Sequence, residues 1–213
     1  MDLERFEELP LMGIVRGVPL EKIEPLLEAV IEAGLKTIEI TMNTEGAGDI
    51  IKKAKEVSRG RITVGAGTVL SRESLEEALD AGASFIVLPA NIEEVVTPCI
   101  ERNIPVFPGA FTPQEVIDCW KKNPTMIKIF PSSMFGPKYI KMLKGPYDDV
   151  KLMAVGGVRL ENIKEYFSQG ADAVAFGGGV FTEELLDKND FSSIGSKVKE
   201  YVDEAKEACR AKL

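Results

Sequence analysis

The sequence predicts an α/β fold, a (β/α)8 TIM barrel, and three observations carry that reading. Eight short apolar segments rich in β-formers alternate with charged segments of helical period. No composition break or Ser/Pro/Gly linker divides the 213 residues, so a single domain over 1–213 is expected. Eight is also the number of parallel strands that closes a barrel through helical crossovers. An open doubly wound sheet is the rival, and it usually has fewer strands.

In chain order, a short helix at Asp2–Leu9 precedes a strand at Leu11–Arg16. The next segment, Pro25 to Gly34, has an amphipathic pattern and ends at a glycine suited to a helix C-cap. Further strands are expected at Thr37–Met42, Ile62–Ala66, Phe85–Pro89, Pro105–Pro108, Met126–Phe130, Lys151–Val155 and Ala173–Phe176. Ser71, with Glu73 and Ser74, opens one intervening helix, and Thr112-Pro113 opens another with proline in the first turn. The last segment, Ser192–Lys212, reads as an extra surface helix. The chain is short for a barrel, so its turns must be tight, and Ala81-Gly82-Ala83 and Gln169-Gly170-Ala171 supply such turns.

Composition excludes several functions. The net charge of −8 argues against nucleic-acid binding by bulk electrostatics, while leaving room for a local cationic pocket. The three cysteines, Cys99, Cys119 and Cys209, are widely spaced without a CxxC, so neither a disulfide framework nor a zinc cluster is expected. A reducing cytoplasm is the simplest compartment. No secretory leader and no membrane-spanning run is read from the sequence. There is no histidine, which removes Ser-His-Asp and Cys-His pairs and His-ligated metals together. No metal or other cofactor is expected. Acid–base chemistry falls to carboxylates, Lys, Tyr, Cys or water.

Strand parity then gives addresses to the polar residues. In Met126-Ile-Lys-Ile-Phe130, the β-branched Ile127 and Ile129 suit the helix-facing side, which turns Lys128 inward. The same parity turns Ile38 and Ile40 outward and Glu39 inward. These are the second and sixth strands, and alternate strands share an interior layer. One reading is a buried ion pair that fixes register, although such pairs are weak stabilisers. The other, which near the strand ends is favoured, is a nucleophilic amine with a carboxylate acid/base.

Arg16 closes the first strand, and its planar fork suits an anion or a rim ion pair equally. Thr68, in Gly65-Ala-Gly-Thr68, offers a hydroxyl at the same rim or forms an ordinary βα turn. Asn43 and Thr44 are ligands or helix caps. Gly156-Gly157 and Gly177-Gly178-Gly179 follow the seventh and eighth strands, where barrels often build a phosphate site from backbone amides. Ser132 and Ser133 join that site or cap the next helix, the latter being the preferred reading for Ser133.

The ordered set Gly13-Ile-Val-Arg16-Gly, Ile38-Glu39-Ile-Thr, Gly65-Ala-Gly-Thr68-Val, Pro108-Gly109, Lys128-Ile-Phe-Pro131, Gly156-Gly157-Val and Gly177-Gly178 resembles a known family over nearly the whole chain. It is that of the class I aldolases that cleave 2-keto-3-deoxy-6-phosphogluconate, its galactonate epimer or 4-hydroxy-2-oxoglutarate. The resemblance implies an α/β barrel, usually a homotrimer, acting on a phosphorylated keto acid without a cofactor. It implies Lys128 as the Schiff-base lysine and Glu39 as the acid/base. It places Thr68 and Arg16 at the pyruvate carboxylate, Pro89 and Phe130 in the pocket wall, and the glycine loops at the distal phosphate. Two departures stand out. Asn43 occupies a position where many gluconate-type members carry Arg, and Gly179 one where a serine is common. The rivals are a 4-hydroxy-2-oxoglutarate aldolase releasing pyruvate and glyoxylate, and a sugar-phosphate barrel isomerase, synthase or binding protein without imine chemistry.

Overall fold

A computed structural model describes Met1 and residues 3–211; the expected helix ends at Asp2 and Lys212 lie outside the described residues. The elements alternate as the sequence predicts. They are α1 (Leu3–Glu8), β1 (Leu11–Val15), α2 (Ile23–Glu32), β2 (Thr37–Thr41), α3 (Ala47–Ser58), β3 (Thr63–Gly67), α4 (Arg72–Asp80), β4 (Ile86–Val87) and α5 (Glu93–Glu101). Then come β5 (Val106–Phe107), β6 (Gly109–Ala110), α6 (Pro113–Trp120), β7 (Ile127–Ile129), α7 (Pro137–Lys144), β8 (Leu152–Val155), α8 (Ile163–Ser168), β9 (Ala173–Phe176), α9 (Glu183–Asp187) and α10 (Phe191–Arg210).

All strand pairs are parallel, in the order β5-β4-β3-β2-β1-β9-β8-β7-β6. The nine segments make eight barrel strands, because β5 and β6 are two halves of the fifth. The Leu88 amide donates to the Phe107 carbonyl on one side, and the Lys128 amide donates to the Pro108 carbonyl on the other. This alternation closes the barrel. The expected strand stops at Pro108, but the ladder runs on through Gly109 and Ala110. A side chain at Gly109 would lie 2.1 Å from the Pro89 backbone, so only glycine allows the two strands to approach there.

Local chemistry sets the turns. Gly34, Gly82 and Gly170 have φ of +90°, +93° and +99°. Each closes its helix with paired bonds, such as Gly34 N–H to Ile31 O and Leu35 N–H to Val30 O. The chain thus leaves each helix and enters the next strand within a few residues. Ser71 and Thr112 open their helices as expected, and the structure adds that each is an N-cap in a reciprocal capping box, with Ser74 and Glu115 respectively.

Two apolar layers separate as the parity predicts. Ile38, Ile40, Ile127 and Ile129 belong to the layer between strands and helices. Met12, Phe85, Val87, Phe107 and Met153 fill the interior. Phe6 of α1 joins that interior, edge-on to Phe107 at 6.0 Å, so the N-terminal helix plugs one end of the barrel. The helix α10 packs on α2 and α8 through Ile194, Val198, Tyr201 and Val202. No helix among the described residues is long and apolar enough to cross a membrane.

Candidate active site

The C-terminal ends of the strands surround a cavity of about 790 Å³, well within the range of small-molecule sites. Eleven of the residues singled out in the sequence line it: Arg16, Glu39, Thr68, Pro89, Lys128, Phe130 and the five glycines of the two loops. Asn43 does not. The Thr44 amide donates to the Thr41 carbonyl, and this turn leaves Asn43 exposed outside the lining.

Glu39, in the middle of β2, is 1% exposed, and its Oε2 has no hydrogen-bond partner among the described residues. Burial pushes its carboxyl above the ordinary range, against the opposing pull of Lys128 and then Arg16. Room for this carboxylate comes from β3. A Cβ on Gly67 would lie 2.4 Å from Glu39 Oε1. Nothing in the strand's sequence alone marks that glycine as a spacer. Lys128, in the middle of β7, is 5% exposed, and its side chain forms no ion pair or hydrogen bond among the described residues. Its Nζ sits 5.3 Å from the Phe130 ring centroid. Two unlike ionisable groups therefore face one cavity without being joined in a salt bridge. That arrangement suits proton transfer and nucleophilic attack better than it suits fixing register. The buried thiols of Cys99 and Cys119 are pushed up to about 11 by desolvation, which leaves them poor nucleophiles.

Arg16 lines the rim without a carboxylate in ion-pair range among the described residues, so the rim-pair alternative is not what the geometry shows. Its turn is held from β2. The Gly17 amide donates to Thr44 Oγ1 at 3.0 Å, and Thr44 Oγ1 lies 3.1 Å from Thr41 Oγ1. Thr44 is thus neither a ligand nor a helix cap. Thr68 has φ +57°, a conformation that costs a β-branched residue free energy and that clusters at functional sites.

The two glycine loops form the far wall. The amides of Gly156, Gly157, Gly178 and Gly179 donate to no acceptor among the described residues, and Cβ atoms at Gly178 and Gly179 would meet nothing within 4 Å. Free amides in open space are what an anion site requires. The eighth-strand loop is a turn, with Val180 and Phe181 amides both donating to Gly177 O, rather than a helix start. Ser132 is spent elsewhere: its hydroxyl donates to Ile129 O and accepts from the Val155 amide, both in the buried strand ends. Ser133 does not cap the next helix. Gly136 holds that position, with no side-chain cap. The sequence reading missed Arg159 and, from α10, Lys197 and Tyr201, which line the same cavity.

The model of the family described as "Aldolase: KDPG and KHG aldolase" matches residues 3–197. The chain is 32% identical over 203 residues to the 2-dehydro-3-deoxy-phosphogluconate aldolase of Haemophilus influenzae, covering 94% of this chain and 95% of that one. It is 33% identical over 175 residues to the 2-dehydro-3-deoxy-6-phosphogalactonate aldolase of Escherichia coli, covering 82% and 85%. A solved structure described as native KDPGal superposes with a TM-score of 0.88 at 30% identity, covering 96% and 97%. The Legionella pneumophila KDPG aldolase, solved with pyruvate captured as a covalent carbinolamine, superposes at 0.85 with 25% identity, covering 92% and 95%. Barrel and relatives together define a carbon–carbon lyase acting on a small molecule. The chain belongs to the KDPG and KHG aldolase family.

Proposed function

We propose that this aldolase works through a Schiff base on Lys128. It cleaves a 2-keto-3-deoxy-6-phospho sugar acid, of gluconate or galactonate configuration, to pyruvate and glyceraldehyde 3-phosphate. One observation carries the reading: an unpaired buried lysine and an unpaired buried carboxyl share a cavity whose far wall offers free backbone amides.

Burial favours the neutral acid at Glu39, which is the form the dehydration step needs. The Lys128 amine attacks the C2 ketone and gives a neutral carbinolamine. Glu39 donates its proton to the departing hydroxyl, so water leaves and a C2 iminium forms. The resulting carboxylate takes the C4 hydroxyl proton. The C3–C4 bond breaks, its electrons pass into the C3–C2 enamine, and the aldehyde departs. Glu39 returns the proton to C3. Water, deprotonated by Glu39, then adds to the iminium and releases pyruvate, with amine and acid restored. In this reading Arg16 and the Thr68 hydroxyl hold the keto-acid carboxylate, Pro89 and Phe130 form the wall, and the glycine amides receive the 6-phosphate. Asn43 is left without a direct part. The homotrimer implied by the resemblance extends the proposal, and Met134, Phe135 and Met142, at 67%, 61% and 71% exposed, supply an apolar face for it.

The test is pyruvate release from both phosphorylated epimers and from 4-hydroxy-2-oxoglutarate. A phosphate held by several amides should favour a phosphorylated substrate by about 100-fold or more in kcat/KM. Faster cleavage of 4-hydroxy-2-oxoglutarate would replace this reading with the phosphate-free one.

A further inference from the structure

We propose that Lys197, on α10, recognises the distal phosphate and so sets the preference for phosphorylated substrates. This inference rests on the reading that the glycine loops receive that phosphate.

The apolar stripe of α10 runs through Ile194, Val198, Tyr201 and Val202. Lys197 borders this stripe, three residues after Ile194 and four before Tyr201, on the flank that the helix turns toward the cavity. It is half-buried, lines the cavity, and its Nζ donates to Gly179 O at 3.5 Å. An ammonium has three donors, so it keeps donors for a second partner. In a chain of net charge −8, it forms no ion pair among the described residues. Glu200 and Glu161 line the same cavity yet do not engage it. The nearby Asp190 is occupied in capping α10, accepting from the Ser193 amide and hydroxyl.

The helix is packed against the strand and turn that carry the loop. The Tyr201 ring stacks on Phe176 at 4.3 Å, and Phe176 stacks on Phe181 at 5.9 Å. These two phenylalanines flank the glycine loop, so α10 and the loop are clamped together. A cation within reach of the Gly179 carbonyl, beside the free amides of Gly178 and Gly179, makes a phosphate site in which a main-chain nest supplies direction and one lysine supplies charge. It also fits the departure at Gly179, where a hydroxyl side chain is missing.

The experiment compares the wild-type chain with Lys197→Met, Lys197→Arg and Arg159→Gln. Arg159 lines the same cavity but is exposed, so it controls for bulk charge. Two quantities are read: kcat/KM on a phosphorylated 2-keto-3-deoxy acid relative to 4-hydroxy-2-oxoglutarate, and thermal stabilisation by inorganic phosphate against chloride at equal ionic strength. Lys197→Met should lower the substrate ratio about tenfold through KM and abolish the phosphate-specific stabilisation. Lys197→Arg should restore much of both, and Arg159→Gln should change them less. A Lys197→Met ratio equal to wild type, or phosphate stabilisation that persists in it, overturns the inference. Borohydride trapping with pyruvate is run in parallel. If the wild type does not trap, the imine reading fails, and the inorganic phosphate arm alone decides on Lys197.

Discussion

Gly67→Ala is a one-carbon perturbation aimed at the acid/base without touching it. Gly67 lies in a regular parallel strand, so the alanine backbone is tolerated. Its new Cβ would meet Glu39 Oε1 at 2.4 Å, whereas ordinary contact begins at 3.4 Å. The carboxylate must therefore give by about 1 Å, in a place where Glu39 is 1% exposed and closely packed. Two effects follow. Overpacking of this kind costs about 1–3 kcal/mol of stability. A reacting group misplaced by about 1 Å costs on the order of 100-fold in rate. Lys128 stands on the sixth barrel strand, away from the collision, so the amine keeps its place. The assay pairs urea unfolding with steady-state cleavage and end-point trapping by pyruvate and borohydride. Cleavage should fall by about two orders of magnitude, while trapping at long times still goes to completion. Gly67→Ala with wild-type turnover would refute the assignment of proton transfer to Glu39, since the carboxylate would then work equally well where it does not belong.

Glu39→Gln separates cost from function through pH. The folded carboxyl is raised above the ordinary 4.5 by desolvation, so the folded state binds the proton more tightly than the unfolded one. Wild-type stability is then penalised as pH rises past 4.5, and the penalty is complete above the raised folded value. Glu39→Gln should match the wild type in urea near pH 4, exceed it at neutral pH, and have lost cleavage at both; equal midpoints at neutral pH would count against a strained carboxylate. Thr44→Ala removes the acceptor for the Gly17 amide, and should cost about 1–2 kcal/mol in urea midpoint-derived stability. It should also raise KM several-fold with little change in kcat, because a loosened Arg16 weakens ground and transition states alike.

The parts of this architecture that follow from local chemistry were readable in advance. Alternation in Thr37–Thr41 and Ile127–Ile129 is enough to turn Glu39 and Lys128 inward, because a helix-covered strand must put its branched residues outside. The glycine exits from helices and the helix openings at Ser71 and Thr112 are equally local. What escaped depends on contacts between distant segments. Pro108-Gly109 reads as punctuation, yet the fifth strand passes through it because only a glycine lets β6 lie against Pro89. Gly67 makes space for a side chain on the neighbouring strand, and no pattern within β3 announces that. Asn43 and Ser132 look like ligands from their place after a strand, but one turns to solvent and the other is committed to main-chain bonds. Lys197 sits far along a helix of ordinary polar pattern, and its approach to the eighth-strand loop exists only once α10 has folded back over the barrel.

The account stands or falls on Lys128. Protein incubated with pyruvate and sodium borohydride, digested and read by mass spectrometry should carry one reduced pyruvyl adduct, on the peptide containing Lys128, and Lys128→Met should carry none. An adduct on any other lysine, or none on the wild type while cleavage proceeds, would contradict it.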